Sequence, residues 1–224
     1  MTKGFLLTFG FSLGYLILAL ACLIQWDTAH PWARVDYFSG GYLFLRLLGS
    51  IHSVISSRGV FHSKSVMREW WALDSDPAGP HWVSALMVAD LTAFLDYGHW
   101  RLVPVLEQPL LQSLGLTMYV IVAIWQIWTD QYLAAYFTRQ GPEAVPMNHG
   151  PYRYVRHPRY AAAIVAKVAF ALALASVLAW LSAAAWAVLL LRKIAVEEAH
   201  LRKLFGPEYE AYSERTARVL PGIY

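Results

Sequence analysis

The sequence predicts an all-α fold: a polytopic transmembrane helical bundle of about six spans, with a cytoplasmic C-terminal segment. Three observations predict it. Of 224 residues, 58% are hydrophobic and 15% charged, with a mean hydropathy of +0.40; a soluble domain carries about 25% charged residues. Apolar runs of spanning length, roughly 20 residues, recur along the chain. The basic residues gather in alternate intervening segments, the bias that fixes orientation in a bilayer.

The spans follow in order. Gly4 to Ile24 is an uninterrupted apolar run. Only Lys3 precedes it as a charge, and it lacks a clear small-residue cleavage site, so it reads as a retained helix rather than a signal peptide. Phe38 to Ser57 is a second span, interrupted by Arg46 and His52. Residues 56–80 are polar and turn-rich, with an interfacial helix expected around Trp70 and Trp71. Trp82 to Tyr97 is a third span that contains Asp90 and Asp96. Pro109 to Trp128 is a fourth, continuing as helix to Phe137. Gly141 to Pro158 carries Gly, Pro and charge and reads as a loop. From Arg159 to Leu191 the chain is apolar over too great a length for one crossing. A helical hairpin turning between Ser176 and Ser182 is expected, with spans Arg159–Ala179 and Trp180–Leu191. Its alanines, among them Ala161, Ala166, Ala169 and Ala183, predict close helix packing, because small residues let transmembrane backbones approach. Arg192 to Tyr224 is amphipathic.

Arg58, Lys64 and Arg68 share one segment, Arg139, Arg153 and Arg156 another, and Arg192, Lys193, Arg202 and Lys203 a third. The segments at 25–37 and 98–108 hold one arginine each, Arg34 and Arg101. Six spans put every basic segment, and both termini, on the cytoplasmic side. Ten tryptophans suit rings placed at membrane interfaces. The single cysteine, Cys22, excludes an intrachain disulfide and a cysteine-based metal cage. Lys167 falls near the middle of the fifth span and Asp90 near the middle of the third. Ionisable residues at that depth are costly and seek partners, so a Lys167–Asp90 pair is one expectation.

Two segments carry chemistry. The first runs Gly150-Pro-Tyr-Arg-Tyr-Val-Arg-His-Pro-Arg-Tyr160. Proline makes the preceding His157 extended, and Pro158 suits the first position of a helix. His157 therefore sits at a helix N-terminus, where free N–H groups attract anions, among Arg153, Arg156 and Arg159. A basic interfacial anchor is the plain alternative. The second segment runs from Arg192 through Lys193, Glu197, Glu198 and His200 to Phe205-Gly-Pro207, Tyr209 and Tyr212. Lys193 and Glu197 share a helix face; taken alone, this is an ordinary solvated helix end. A hairpin between the segments returns both to one membrane face.

Together the segments resemble the isoprenylcysteine carboxyl methyltransferase and phospholipid methyltransferase superfamily. The resemblance rests on Gly150, Tyr152, Arg156, His157, Pro158 and Tyr160, then Glu197, Glu198, Phe205, Gly206, Tyr209 and Tyr212, over about residues 140–224. It implies a division into N-terminal helices on the acceptor side, 1–137, and a methyltransferase core, 138–224. It implies S-adenosyl-L-methionine as cofactor, held by Ala144, Val145, Pro146, Met147, Tyr152, His157, Pro158, Arg159, Tyr160, Glu197 and Glu198. It implies Lys193 and Arg192 facing the acceptor, with Glu197 or His157 as base where the acceptor must lose a proton. The expected partners are the lipid bilayer and a lipophilic methyl acceptor, with no nucleic acid and no metal. The location implied is the cytoplasmic membrane of a bacterium or the endoplasmic reticulum of a eukaryote. The chain departs from the eukaryotic prenylcysteine enzymes in two places. Ala144-Val-Pro-Met147 stands where they show His-Thr-Leu-Val, and Lys193 where they show Arg. Lysine lacks the guanidinium fork that grips a carboxylate. Alternatives are a membrane NADPH-dependent reductase of the steroid reductase type, a member of the same fold without catalysis, and a transporter suggested by Arg46, Asp90 and Lys167.

Overall fold

The computed structural model describes residues 3–26, 28–60, 79–139 and 147–221. They form seven α-helices: α1 (Lys3–Leu23), α2 (Tyr37–Val60), α3 (Gly79–Leu95), α4 (Pro109–Arg139), α5 (Pro158–Leu174), α6 (Val177–Phe205) and α7 (Pro207–Arg215). No strand occurs among the described residues; Val155 and Ala217 make an isolated parallel bridge. The helix expected around Trp70 lies outside the described residues.

Local chemistry sets the helix starts. Pro109, Pro158 and Pro207 each open a helix, where the missing N–H is no loss. Asp36 caps α2, its Oδ1 accepting from the backbone N–H groups of Phe38 and Ser39 at 3.0 Å each. Ser176 caps α6, its Oγ accepting from Ala179 N–H at 3.3 Å. That cap corrects the expected hairpin: the turn lies at Ala175–Ser176, and residues 177–179 belong to the second arm rather than the first. Ala175 takes the left-handed conformation with φ 48°. The Ser176 hydroxyl also donates to Asp96 Oδ2 at 2.5 Å. Asp96 thus leaves the third apolar run and opens a π-helical turn, Asp96–Trp100, at which α3 ends.

Two helical stretches, Pro109–Leu133 and Val177–Phe205, are long and apolar enough to cross a membrane, and Ser12–Leu23 is a shorter apolar one. The bundle core joins α1, α2, α3, α4, α5 and α6 through Tyr42, Phe94, Tyr119 and Phe170, with ring centroids 4.9–6.2 Å apart. The alanine-rich face of α5 meets α4 at Gly115: a Cβ there would lie 2.5 Å from Ala173 N and 2.8 Å from Ala169 O. Only glycine permits that approach. Lys167 pairs with Asp90, whose other oxygen accepts from Ser182 Oγ at 2.6 Å. One buried carboxylate thereby ties α3 to both arms of the hairpin.

Candidate active site

The motif at 150–160 folds as a short 3-10 turn, Gly150–Arg153, leading to His157 at the N-terminus of α5. Gly150 has φ +59°, and a Cβ on it would enter the Tyr132 ring. The conformation and the α4 side chain both demand glycine. The turn satisfies the N–H groups of Tyr152, Tyr154 and Val155 locally, and the residues after α7 satisfy the next two. Arg156 N–H donates to Ala217 O at 2.8 Å and His157 N–H to Arg218 O at 3.1 Å. The Tyr212 hydroxyl donates to Tyr152 O at 2.7 Å.

Glu198 is the electrostatic centre of this arrangement. Its side chain is fully buried. Oε1 accepts from Arg156 Nε at 2.9 Å and lies 3.3 Å from His157 Nε2; Oε2 accepts from Arg218 at 2.9 and 2.5 Å. The Arg156 guanidinium also donates to the carbonyls of Ser213 and Thr216. The whole set locks the end of α6 to the loop before α5 and to the chain after α7.

Glu197, one residue earlier, turns about 100° away on the helix and lines a cavity of about 1030 Å³. Its Oε2 is buried without a hydrogen-bond donor, although His157 Nδ1 lies 3.5 Å away. The Tyr209 hydroxyl, also facing the cavity, is a second buried polar atom without a partner. Buried polar groups are normally satisfied, so two such atoms in one cavity mark a place for a polar ligand. Of the residues expected at the site, Met147, Tyr152, His157, Pro158, Arg159, Tyr160, Lys193 and Glu197 line this cavity. Glu198 and Arg192 do not: Glu198 is engaged by the arginines, and Arg192 lies on an exposed face of α6. Ala144, Val145 and Pro146 lie outside the described residues.

Sequence reasoning missed the contribution of α4. Asp130 pairs with Arg159 at 3.2 Å and accepts from Gln126 at 3.1 Å, and Trp125 Nε1 donates to Pro158 O at 3.3 Å. A carboxylate and an amide four apart near the end of an apolar helix were the available signal. Arg218 was missed as well, lying beyond the last motif.

Burial alone would lower the His157 pKa. The adjoining carboxylates of Glu197 and Glu198 outweigh it and hold the pKa above the ordinary 6.5. Burial first, and the charge of Glu198 next, push the Tyr209 hydroxyl up to about 12. Burial also raises Tyr152 and Tyr212. A raised histidine pKa stabilises the fold fully below the unfolded value and loses that contribution as pH climbs through the folded value. The melting temperature of the detergent-purified protein should therefore fall as pH rises above about 6.5. His157→Gln should flatten that part of the profile. A wild-type profile that rises over the same interval would contradict the assignment.

A family model described as phospholipid methyltransferase matches residues 109–208. The match agrees with the superfamily resemblance of the two motifs and extends it to α4, whose first residue is Pro109. No curated protein matches the chain.

Proposed function

With residues 109–208 carrying a phospholipid methyltransferase domain, we propose that the protein is an integral membrane, S-adenosylmethionine-dependent methyltransferase acting on a lipophilic acceptor. The observation that carries the reading is the buried Glu197 Oε2, without a hydrogen-bond donor and 3.5 Å from His157 Nδ1, at the polar end of a cavity whose remaining wall is largely apolar. In this reading six helices, α1 to α6, cross the bilayer, and the basic segments put the motif end and both termini in the cytoplasm. The soluble cofactor then arrives from the cytoplasm and the acceptor from the bilayer.

The residues present fit the cofactor. Glu197 offers a buried negative charge to its cationic groups, Tyr209 an unpaired hydroxyl, and Tyr152 and Tyr160 ring surface. Bound there, S-adenosylmethionine supplies a sulfonium-activated methyl group to an acceptor atom in line with the breaking bond. The chain's work is alignment and exclusion of water. Lys193 lies one helical turn before Glu197 on the same face and also lines the cavity; there it serves an anionic acceptor oxygen, as in carboxyl O-methylation. A carboxylate acceptor needs no base. Where the acceptor is an amine, phenol or thiol, Glu197 or His157 serves as the base.

The test is incubation of the purified protein with methyl-labelled S-adenosylmethionine and a lipid extract. Label should pass into the organic phase and identify the product. Absence of S-adenosylhomocysteine binding, with NADPH raising the melting temperature instead, would overturn the reading in favour of a reductase.

A further inference from the structure

Arg46 lies on α2, far in sequence from both motifs, and the methyl-transfer reading gives it no role. It also lines the cavity. Its Nε is buried without a hydrogen-bond partner. Tyrosines surround it. The Tyr15 ring centroid is 5.9 Å from its Cζ, the Tyr119 hydroxyl bonds it, and Tyr42 adjoins it. Tyr42 and Tyr119 pack edge to face at 5.1 Å. No carboxylate among the described residues pairs with Arg46. The neighbouring Asp90 gives one oxygen to Lys167 and the other to Ser182. Lys167 and Asp90 cancel, and among the described residues Arg46 remains as one positive charge with no paired carboxylate.

A guanidinium deep in a helix that crosses hydrocarbon is costly unless it meets an opposite charge. The tyrosines offer ring faces and a hydroxyl but no negative charge. The side of the cavity beside Arg46 is formed by Leu45, Leu48, Val120, Ala123 and Ile124. Leu48 and Ile124 are 47% and 62% exposed on the outer surface of α2 and α4, so an apolar chain can enter between these helices. Tyr119 and Tyr136 both line the cavity from α4, and at 1.5 Å per residue they are roughly 25 Å apart. That length suits a lipid chain.

We propose that Arg46 is an anion-binding site for an elongated lipophilic ligand, which carries a carboxylate or a phosphate and lies along the α2–α4 wall. The guanidinium presents two parallel N–H groups to such an oxyanion, and the bound anion cancels the excess charge. As a statement about the methyl acceptor, the proposal rests on the acceptor occupying this cavity; as a statement about binding, it requires no methyl transfer. The bound anion is not the group that is methylated. Ile194, next to Lys193, packs against Ala161, whereas Tyr119, bonded to Arg46, packs on Tyr42 and through it on Phe170. Nine residues of α5, roughly 14 Å, separate Ala161 from Phe170. The acceptor therefore carries two polar groups joined by an apolar stretch.

The test measures binding of oleate, oleyl phosphate and oleyl alcohol to the full chain in uncharged detergent micelles. At least one of the two anions should bind ten-fold or more tightly than the alcohol, and which one does so identifies the oxyanion. Arg46→Gln should abolish the preference. Arg46→Lys keeps the charge but not the fork, and should retain the preference with affinity several-fold weaker. It decides the matter where Arg46→Gln loses helicity by circular dichroism. Equal affinity for all three probes, or an anion preference unchanged in the folded variant, overturns the proposal. Anion preference without S-adenosylhomocysteine binding leaves the Arg46 site standing and removes the methyl-transfer reading alone.

Discussion

Glu198→Ala should cost the protein its motif end. The wild-type carboxylate is fully buried between Arg156 and Arg218, with His157 at 3.3 Å. Alanine would leave the guanidinium groups of Arg156, Arg202 and Arg218 and the His157 imidazole facing one another with nothing between them. Removing one partner of a buried ion pair costs about 3–5 kcal/mol. The arginine side chains retain 11% and 22% exposure, so water recovers part of the loss and the lower half of that range is expected. The measurement is thermal unfolding in detergent, with limited proteolysis after Thr216 as a local probe. A melting temperature within error of the wild type would show that the arginines find other partners. Glu198→Gln, which keeps the shape, should recover less than half of the loss, since the amide cannot compensate two cations.

Glu197→Gln should do the converse, leaving the fold in place and removing cofactor affinity. Its Oε2 accepts no hydrogen bond and loses only the 3.5 Å ion pair with His157, so stability should change by about 1 kcal/mol, well short of the Glu198→Ala loss. A hydrogen bond to a charged group contributes about 1.5–3 kcal/mol. The dissociation constant of S-adenosylhomocysteine should therefore rise roughly 10- to 150-fold. Calorimetric titration of wild type and variant checks this. Unchanged affinity with unchanged stability would remove Glu197 from the cofactor site. The two variants separate adjacent residues with the same side chain and different roles. Glu198 holds the structure, and Glu197 lines the cavity.

How far the sequence discloses this arrangement depends on the scale of the question. Proline at the start of α4, α5 and α7 is legible because it can hardly stand elsewhere in a helix. The hairpin is legible from its length, and the alanines of α5 from their chemistry. The turn itself is displaced toward Ala175 because Ser176 is engaged twice, by Ala179 and by Asp96, and the Asp96 contact is 80 residues distant in sequence. Lys167 and Asp90 are each conspicuous, and the structure joins them. The difference between Glu197 and Glu198 is not legible. Both follow the same apolar helix, and the choice is made by Arg218, which no motif includes. Asp130 was hidden for a related reason: a span is read for its apolar residues, and its one acid near the motif end looks like a boundary.

The bridge between Val155 and Ala217 bears on how the protein is made. After the short turn at Gly150–Arg153, the N–H groups of Arg156 and His157 have their acceptors in Ala217 and Arg218. During synthesis α5 can form before the chain after α7 has left the ribosome. The loop before α5 stays open through that interval, with Arg156 lacking the carbonyls of Ser213 and Thr216. Assembly of the cavity's polar end is thus the last step of biogenesis. A nascent chain stalled short of Ala217 would be helical and without a closed cavity end.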